Sequence, residues 1–298
     1  MVKSYFHYHR QGLKRIWINM LANSNKSIFI LLVNMPRGGR SNTRILHDTE
    51  NMIWKVEQGK NTRYIKNRRL LINFLFGEII NCSQNIEADY LLKKIEFSAE
   101  PIIIDCGANI GNLELWLSLN FPKFRYFGFE PEPETFKCLE MNVNSKFCYN
   151  VALGNVNSDF QEFYVSTDNG DSSIVLPEKY DAVINTKVVR GDQFEPFLKD
   201  LYSVNFQALY ESELYEDKVN HKTLIDLLKL ECEGFEFQAI QGFERLLPRI
   251  RYITADLGFE NMGESTLPEV TNYLLNKGFE IVKLGYPRLT LLFKNTNL

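Results

Sequence analysis

The 298-residue sequence predicts an α/β fold, a doubly wound and mostly parallel sheet closed by an antiparallel hairpin. Three stretches carry that prediction. In the first, Ile102-Ile-Ile-Asp105-Cys-Gly107-Ala-Asn109-Ile-Gly111-Asn112, a β-branched run ends in an acid and a glycine turn. Apolar residues at helical spacing follow (Leu113, Leu115, Trp116, Leu119), so the segment reads as strand, tight turn, helix. In the second, Tyr126-Phe-Gly-Phe-Glu130-Pro131, another strand ends in an acid, nineteen residues past Gly111. In the third, Thr223 to Glu236, a buried-type strand runs into Glu231, Glu233, Gly234 and Glu236. Strand and helix patterns that alternate along a chain favour parallel pairing.

The elements follow in order. Residues 1–85 form a basic N-terminal accessory region. Within it Leu13, Ile16, Trp17, Met20 and Leu21 fall at i, i+3, i+4, i+7 and i+8, an amphipathic helix flanked by Lys14 and Arg15, read first as packing on the main domain and second as an interfacial helix on an anionic membrane. Pro36–Arg40 is a loop, and the apolar stretch Leu70–Ile80 leads toward the core. The main domain spans 86–298 and opens with a helix over Ala88–Glu96. Strand Pro101–Asp105 and helix Gly111–Asn120 come next, then strand Arg125–Glu130. A helix begins at Pro131, with Glu132 and Glu134 in its first turn where acids suit the helix dipole. A strand over Phe147–Ala152 and an additional one over Asp159–Ser166 precede a loop at Gly170–Ser173. Gln193–Asn220 shows no clear period and holds an acidic patch, read as a solvated insertion or a cover over the site. Strands ending near Lys229–Glu231 and Asp256 complete the parallel set. Leu267–Lys277 is a helix closed by Gly278, and Phe279–Leu284 with Leu289–Lys294 form a hairpin around Gly285-Tyr-Pro.

Charge is split unevenly. Residues 1–70 balance at +11 and the remainder at −14, which suggests a basic arm for an anionic partner on an acidic body. The five cysteines are odd in number and lack C-x-x-C spacing, which argues against a zinc site or a disulfide framework and for a reducing cytosol. The first residues do not read as a signal peptide, and the apolar run Ile28–Val33 is too short to span a bilayer. The expectation is a cytoplasmic protein, with residues 1–70 able to touch the anionic inner membrane surface.

Ligands of open parallel sheets sit beyond the carboxyl ends of the strands. Asp105, Glu130, Ala152, Glu231 and Asp256 all fall at such ends. The turn is G-x-x-x-G rather than G-x-G-x-x-G, which suits a nucleoside ligand without a pyrophosphate, such as S-adenosylmethionine. Glu130 is placed to accept both ribose hydroxyls, while Gly107 and Gly111 let the loop approach the methionine portion. Asp105 orients the loop or meets the amino group, and Ala152 and Leu153 line the adenine.

With these residues the chain resembles the FkbM family of class I methyltransferases. That family has an acid-x-G-A-N-x-G motif, met here by Asp105, Gly107, Ala108, Asn109 and Gly111, with Asn112 next. Its F-E-P-x-P motif corresponds to Phe129-Glu130-Pro131-Glu132-Pro133. Its L-K-I-D-x-E-G-x-E motif corresponds to Leu228–Glu236, with Glu231 where the family usually has Asp. The resemblance covers roughly residues 86–298. It implies a Rossmann-like, seven-stranded methyltransferase sheet, S-adenosylmethionine as cofactor, and hydroxyls of sugars or secondary metabolites as acceptors.

An alcohol needs a base to take its proton as the methyl bond forms. Glu231 is the first candidate, with Glu233 and Asp256 behind it and Glu236, Glu260 and His221 further back. Glu231 and Asp256 offer oxygen ligands of the kind Mg²⁺ takes, but no complete ligand set accompanies them and no metal is predicted. The expected activity is O-methylation of a sugar hydroxyl on a bacterial surface glycan or its precursor. A small-molecule secondary metabolite is the alternative acceptor. A nucleic-acid acceptor is disfavoured, because no N-P-P-Y motif or RNA-binding module is present. An inactive membrane-associated scaffold is disfavoured by the intact Gly107, Gly111 and Glu130.

Overall fold

The computed structural model describes residues 24–34, 43–66, 71, 79–143, 146–166, 172–202, 223–286 and 288–298. The chain divides into two units, Met1–Asn81 and Cys82–Leu298. The Leu13–Leu21 stripe, the Pro36–Arg40 loop and His221 lie outside the described residues.

The first unit contains helix α1 (Lys26–Asn34) and an antiparallel meander of β1 (Thr43–Asp48), β2 (Ile53–Gln58) and β3 (Asn61–Ile65). These strands were not anticipated from the sequence. Their signal is present in the β-branched and aromatic residues of Ile53-Trp-Lys-Val and in the two-residue Gly59-Lys60 turn, where Gly59 has φ 61°. The apolar run Ile28–Val33 lies within α1, with Phe29 and Val33 buried and Phe29 edge-on to Trp54 at 5.2 Å. The Asn34 side chain accepts from the Ile45 N–H and donates to its carbonyl, both at 2.8 Å, tying helix to meander.

The second unit is the α/β body. Its strands are β4 (Ile102–Cys106), β5 (Arg125–Phe129), β6 (Cys148–Tyr149), β10 (Ile225–Leu230), β11 (Ile250–Asp256), β12 (Phe279–Gly285) and β13 (Thr290–Asn295). They form a seven-stranded sheet in the order β12-β13-β11-β10-β4-β5-β6. The pairs β11–β10, β10–β4, β4–β5 and β5–β6 are parallel, and β13 runs antiparallel to β11 and β12. The sheet is therefore Rossmann-like with a reversed closing hairpin, as the sequence predicted. Alternation along the strands feeds two cores. Ile104, Phe127, Phe129, Leu228 and Ile253 enter one, and Ile103, Tyr126, Leu227 and Tyr252 the other.

Several boundaries differ, each for a local reason. The helix expected over Ala88–Glu96 is instead α2 (Ile79–Asp89), followed by a 3₁₀ turn at Leu92–Lys94. Leu91 between them is left-handed at φ 58°, which ends the α-helix. The helix expected from Pro131 starts two residues later, because the Glu132 N–H bonds to Glu130 Oε1 and Pro133 opens the first turn. The strand expected over Phe147–Ala152 splits into β6 and β7 (Ala152–Leu153), which join different sheets. At the break, the Asn150 side chain donates to the carbonyls of Glu130 and Pro131. The second sheet, β7-β9-β8, uses β8 (Ser158–Val165) and an unanticipated β9 (Ala182–Val189). The unreadable segment after Gln193 begins with a helix, Glu195–Tyr202, that buries Phe197, Leu198 and Leu201.

Strand order reverses between β4 and β10, with β5 and β6 on one side and β11 on the other. The crevice beyond the carboxyl ends of β4 and β10 is thus the topological switch point, where ligands of such sheets bind.

Candidate active site

The glycine loop after β4 is held against β5. The N–H groups of Gly107 and Ala108 both reach the Phe129 carbonyl, at 3.0 and 2.9 Å, and Gly111 N–H closes on Ala108 O at 2.9 Å. Asn109 takes φ 49°, and its N–H donates to Glu130 Oε2 at 2.9 Å. The other Glu130 oxygen accepts the Glu132 N–H at 3.0 Å. Glu130 therefore couples the first and second motifs at the end of β5. Asn112 opens the helix after the loop, and its Oδ1 is buried without a hydrogen-bond partner among the described residues. Ala152 and Leu153 are buried in β7.

The third motif packs directly on the first. A Cβ on Gly107 (φ 75°) would stand 1.9 Å from the Glu231 carbonyl oxygen. Glycine here is required by the facing chain, whereas the sequence reading assigned that space to the ligand. The Glu231 N–H extends the ladder to Cys106 O at 3.1 Å, and Cys106 Sγ lies 3.1 Å from Cys232 Sγ. Both cysteines are free thiols.

Lys229 is a residue whose role the sequence reading missed. It sits opposite Asp105 in the β4–β10 register, in a strand whose six residues are all buried. Its Nζ lies 3.0 Å from Asp105 Oδ1 and 3.1 Å from Glu231 Oε2, and donates to Gly107 O at 2.6 Å. The Tyr90 ring lies 5.2 Å from the same ammonium. Burial opposes the charge, but Asp105, Tyr90 and Glu231 outweigh it and hold the Lys229 pKa well above its ordinary value. Asp105 is 1 % exposed and also accepts the Tyr126 hydroxyl at 2.7 Å. Burial raises its pKa against the pull of Lys229 and Tyr126. A lysine inside an apolar strand was the available signal, since a buried charge must be paired.

Arg288, from the β12–β13 turn, extends the chain of charges. Its Nη2 reaches Glu231 Oε1 at 2.6 Å and its Nε reaches Asp256 Oδ2 at 2.7 Å, with Asp89 Oδ2 3.6 Å from Nη1. Asp105, Lys229, Glu231, Arg288 and Asp256 thus alternate in sign across the ends of β4, β10 and β11. No local sequence pattern marks Arg288, because only the hairpin's return to β11 brings it there.

This network bears on the candidate bases. Burial alone would raise the Glu231 carboxyl, but Lys229 and Arg288 override it and bring its pKa down to about 2. A carboxylate held that low by two cations is a poor proton acceptor, so the base role expected of Glu231 does not fit its surroundings. Glu236 is 1 % exposed and fully engaged. Its Oε1 accepts the N–H groups of Cys232 and Gly234, and its Oε2 accepts the Thr266 hydroxyl. It braces the loop. Glu233 holds the left-handed φ of 50°, and its carbonyl accepts the Ser173 hydroxyl at 2.7 Å.

Beyond β10 and β11 opens a cleft of about 540 Å³, within the size range of small-ligand sites. Ser173, Glu233, Asp256, Phe259, Glu260 and Arg288 are among its lining residues, and Glu231 is not. Among the described residues, no group of three or more His, Cys, Asp or Glu could hold a metal ion.

Residues 105–281 match the Methyltransferase FkbM domain, from the acid of the first motif into the closing hairpin. The chain belongs to the FkbM methyltransferase family. It is similar to methyltransferase sdnD of Sordaria araneosa, 26% identical in an alignment of 227 residues that covers 66% of this chain and 84% of that protein. Methyltransferase 1 of Beauveria bassiana (strain ARSEF 2860) is 23% identical in an alignment of 186 residues that covers 57% of this chain and 72% of its own. Among solved structures, methyltransferase FkbM from Methylobacillus flagellatus KT aligns at 15% identity with a TM-score of 0.44. That alignment covers 76% of this chain and only 53% of the other, so the chain spans about half the length of that FkbM structure. In this FkbM methyltransferase the glycine loop, Glu130 and the Glu231–Glu236 segment meet at one switch point.

Proposed function

We propose that this FkbM methyltransferase uses S-adenosylmethionine to methylate a hydroxyl group of a neutral sugar, as found in a bacterial surface glycan or its precursor. The observation that carries the reading is Glu130, held at the end of β5 by the Asn109 and Glu132 N–H groups beside the glycine loop. When bound, S-adenosylmethionine supplies a methyl group already activated on a sulfonium. The residues that would hold it are present. Each Glu130 oxygen can accept more than one hydrogen bond, which suits a pair of ribose hydroxyls. Asn112 Oδ1 offers a buried acceptor without a partner among the described residues, and Ala152 and Leu153 offer an apolar wall for a base.

The cleft supports a neutral acceptor. Glu178, Glu233, Asp256 and Glu260 line it against Arg288, so its field disfavours phosphate-rich acceptors such as nucleic acids. A neutral polyhydroxylated molecule meets no such penalty, and the exposed Phe259 ring at the lining offers a face for sugar C–H groups. An uncharged small-molecule metabolite satisfies the same cleft. The protein's task is to align donor and acceptor and to remove one proton. No helix among the described residues is long and apolar enough to cross a membrane. The +11 balance of residues 1–70 supports a peripheral contact with anionic lipid at the cytoplasmic membrane face.

The test is direct. The full chain is incubated with S-adenosylmethionine bearing a tritiated methyl group and with methyl glycosides of neutral hexoses, and the glycoside is analysed for a new O-methyl. Transfer to a glycoside supports the proposal. Absence of S-adenosylmethionine binding by calorimetry sinks the cofactor assignment. Binding without transfer to any glycoside sinks the sugar acceptor.

A further inference from the structure

Of the carboxyls of Glu231, Asp256, Glu236 and Glu260, the last has a different environment from the other three. Glu231 is clamped by Lys229 and Arg288, Asp256 is clamped by Arg288, and Glu236 is occupied by two N–H groups and a hydroxyl. Glu260, on the loop after β11, has none of these. It lines the cleft, and its Oε2 is buried without a hydrogen-bond partner among the described residues. Its carboxyl folds back over Gly258, where an added Cβ would stand 2.1 Å from Oε1. The chain thus leaves room for this carboxyl at the cleft wall, next to Asp256.

We infer that Glu260 is the proton acceptor for the methylated hydroxyl, and that Glu231 and Arg288 are positioning residues that leave Glu260 as the basic group in the cleft. This rests on the O-methyltransferase reading above. In the step, the acceptor oxygen forms a bond to the methyl carbon while the carbon–sulfur bond breaks and its electron pair returns to sulfur. The hydroxyl proton passes to the Glu260 carboxylate. The products are a methyl ether, a neutral thioether and a carboxylic acid that returns its proton to solvent, so charge and atoms balance.

The electrostatics agree with the geometry. Burial first, then Asp256 and Glu236, push the Glu260 pKa up to about 7, while its backbone hydrogen bond and Arg288 pull weakly the other way. Glu233 and Glu178 share the cleft and add no positive charge. A base is most effective when its pKa lies near the working pH.

Four measurements on the full chain decide the matter. Glu260→Gln should bind S-adenosylhomocysteine like the parent yet methylate the methyl glycosides roughly 10²–10⁴-fold more slowly. The parent's rate should rise through about pH 7 and level off, and the Gln variant should lose that rise. Gly258→Ala keeps the carboxyl but displaces it, so turnover should fall while cofactor affinity holds. Carbon-13 titration of glutamate carboxyls, parent against Glu260→Gln, should show one group with a midpoint near 7. This titration needs no acceptor, so it judges Glu260 even where the glycosides fail as substrates. A Gln variant within about threefold of parental turnover overturns the assignment, since loss of a general base costs far more. So does a Glu260 midpoint at the ordinary value of 4.5.

Discussion

The backbone carbonyl oxygen of Glu231 fills the place where a side chain on Gly107 would begin, 1.9 Å from the ideal Cβ. The first and third family motifs are therefore in contact through main chain as well as through Lys229. A substitution in one motif is felt in the other.

Gly107→Ala follows from that contact. The left-handed φ of 75° alone costs a non-glycine residue roughly 1–3 kcal/mol. The clash with a backbone oxygen adds to it, because main chain cannot rotate away. We expect a lowered urea midpoint and weakened binding of S-adenosylhomocysteine together. A variant that loses binding at full stability would return the glycine to a purely ligand-facing role.

Lys229→Met tests the charge chain. Removing the ammonium leaves Asp105 buried without its cation and Glu231 with only Arg288. Breaking a buried pair in this way costs about 3–5 kcal/mol. Adding Asp105→Asn should recover part of the loss, since the uncompensated charge is then gone. Denaturant unfolding of the single and double variants measures the coupling, and strictly additive effects would refute it.

Acid should loosen the same network in a predictable direction. The Glu231 pKa is lowered to about 2 in the folded chain against an ordinary 4.5. The unfolded state thus binds the proton more readily between these values, so stability rises with pH across that window. The Glu231 contribution is fully present above 4.5 and is lost as pH falls toward 2. Glu231→Gln should flatten that part of the stability profile, measured by unfolding at a series of acid pH values. An unchanged acid limb would show that Glu231 is not clamped.

Glu130→Ala should weaken the cofactor directly. It removes the carboxylate that accepts the Asn109 and Glu132 N–H groups and that is proposed to meet the ribose. A hydrogen bond to a charged group contributes about 1.5–3 kcal/mol. Calorimetry with S-adenosylhomocysteine should show a loss of at least that scale. Affinity equal to the parent would remove Glu130 from the site.

Much of the main domain was legible from local pattern. Ile102–Cys106, Arg125–Phe129, Ile225–Leu230 and Ile250–Asp256 are short, β-branched or apolar runs, and Gly107 and Gly234 follow the first and third of them. Parallel strands buried on both faces write themselves into sequence as continuous apolar stretches. The meander of residues 43–65 and strand Ala182–Val189 were missed because mixed polar residues break their alternation.

By itself the sequence determined which residues stand at the strand ends, because strand periodicity and turn glycines are local properties. It therefore named Asp105, Glu130, Glu231 and Asp256 as neighbours of one crevice. Only the tertiary structure decided what each carboxyl can do. The pKa of a carboxyl depends on burial and on charges a few ångströms away, and those charges come from distant parts of the chain. Lys229 faces Asp105 across 124 positions by strand register, and Arg288 reaches Glu231 and Asp256 because the closing hairpin returns antiparallel. Together they hold the acid first expected to be the base as a clamped, low-pKa carboxylate, while burial beside Asp256 raises Glu260 at the cleft.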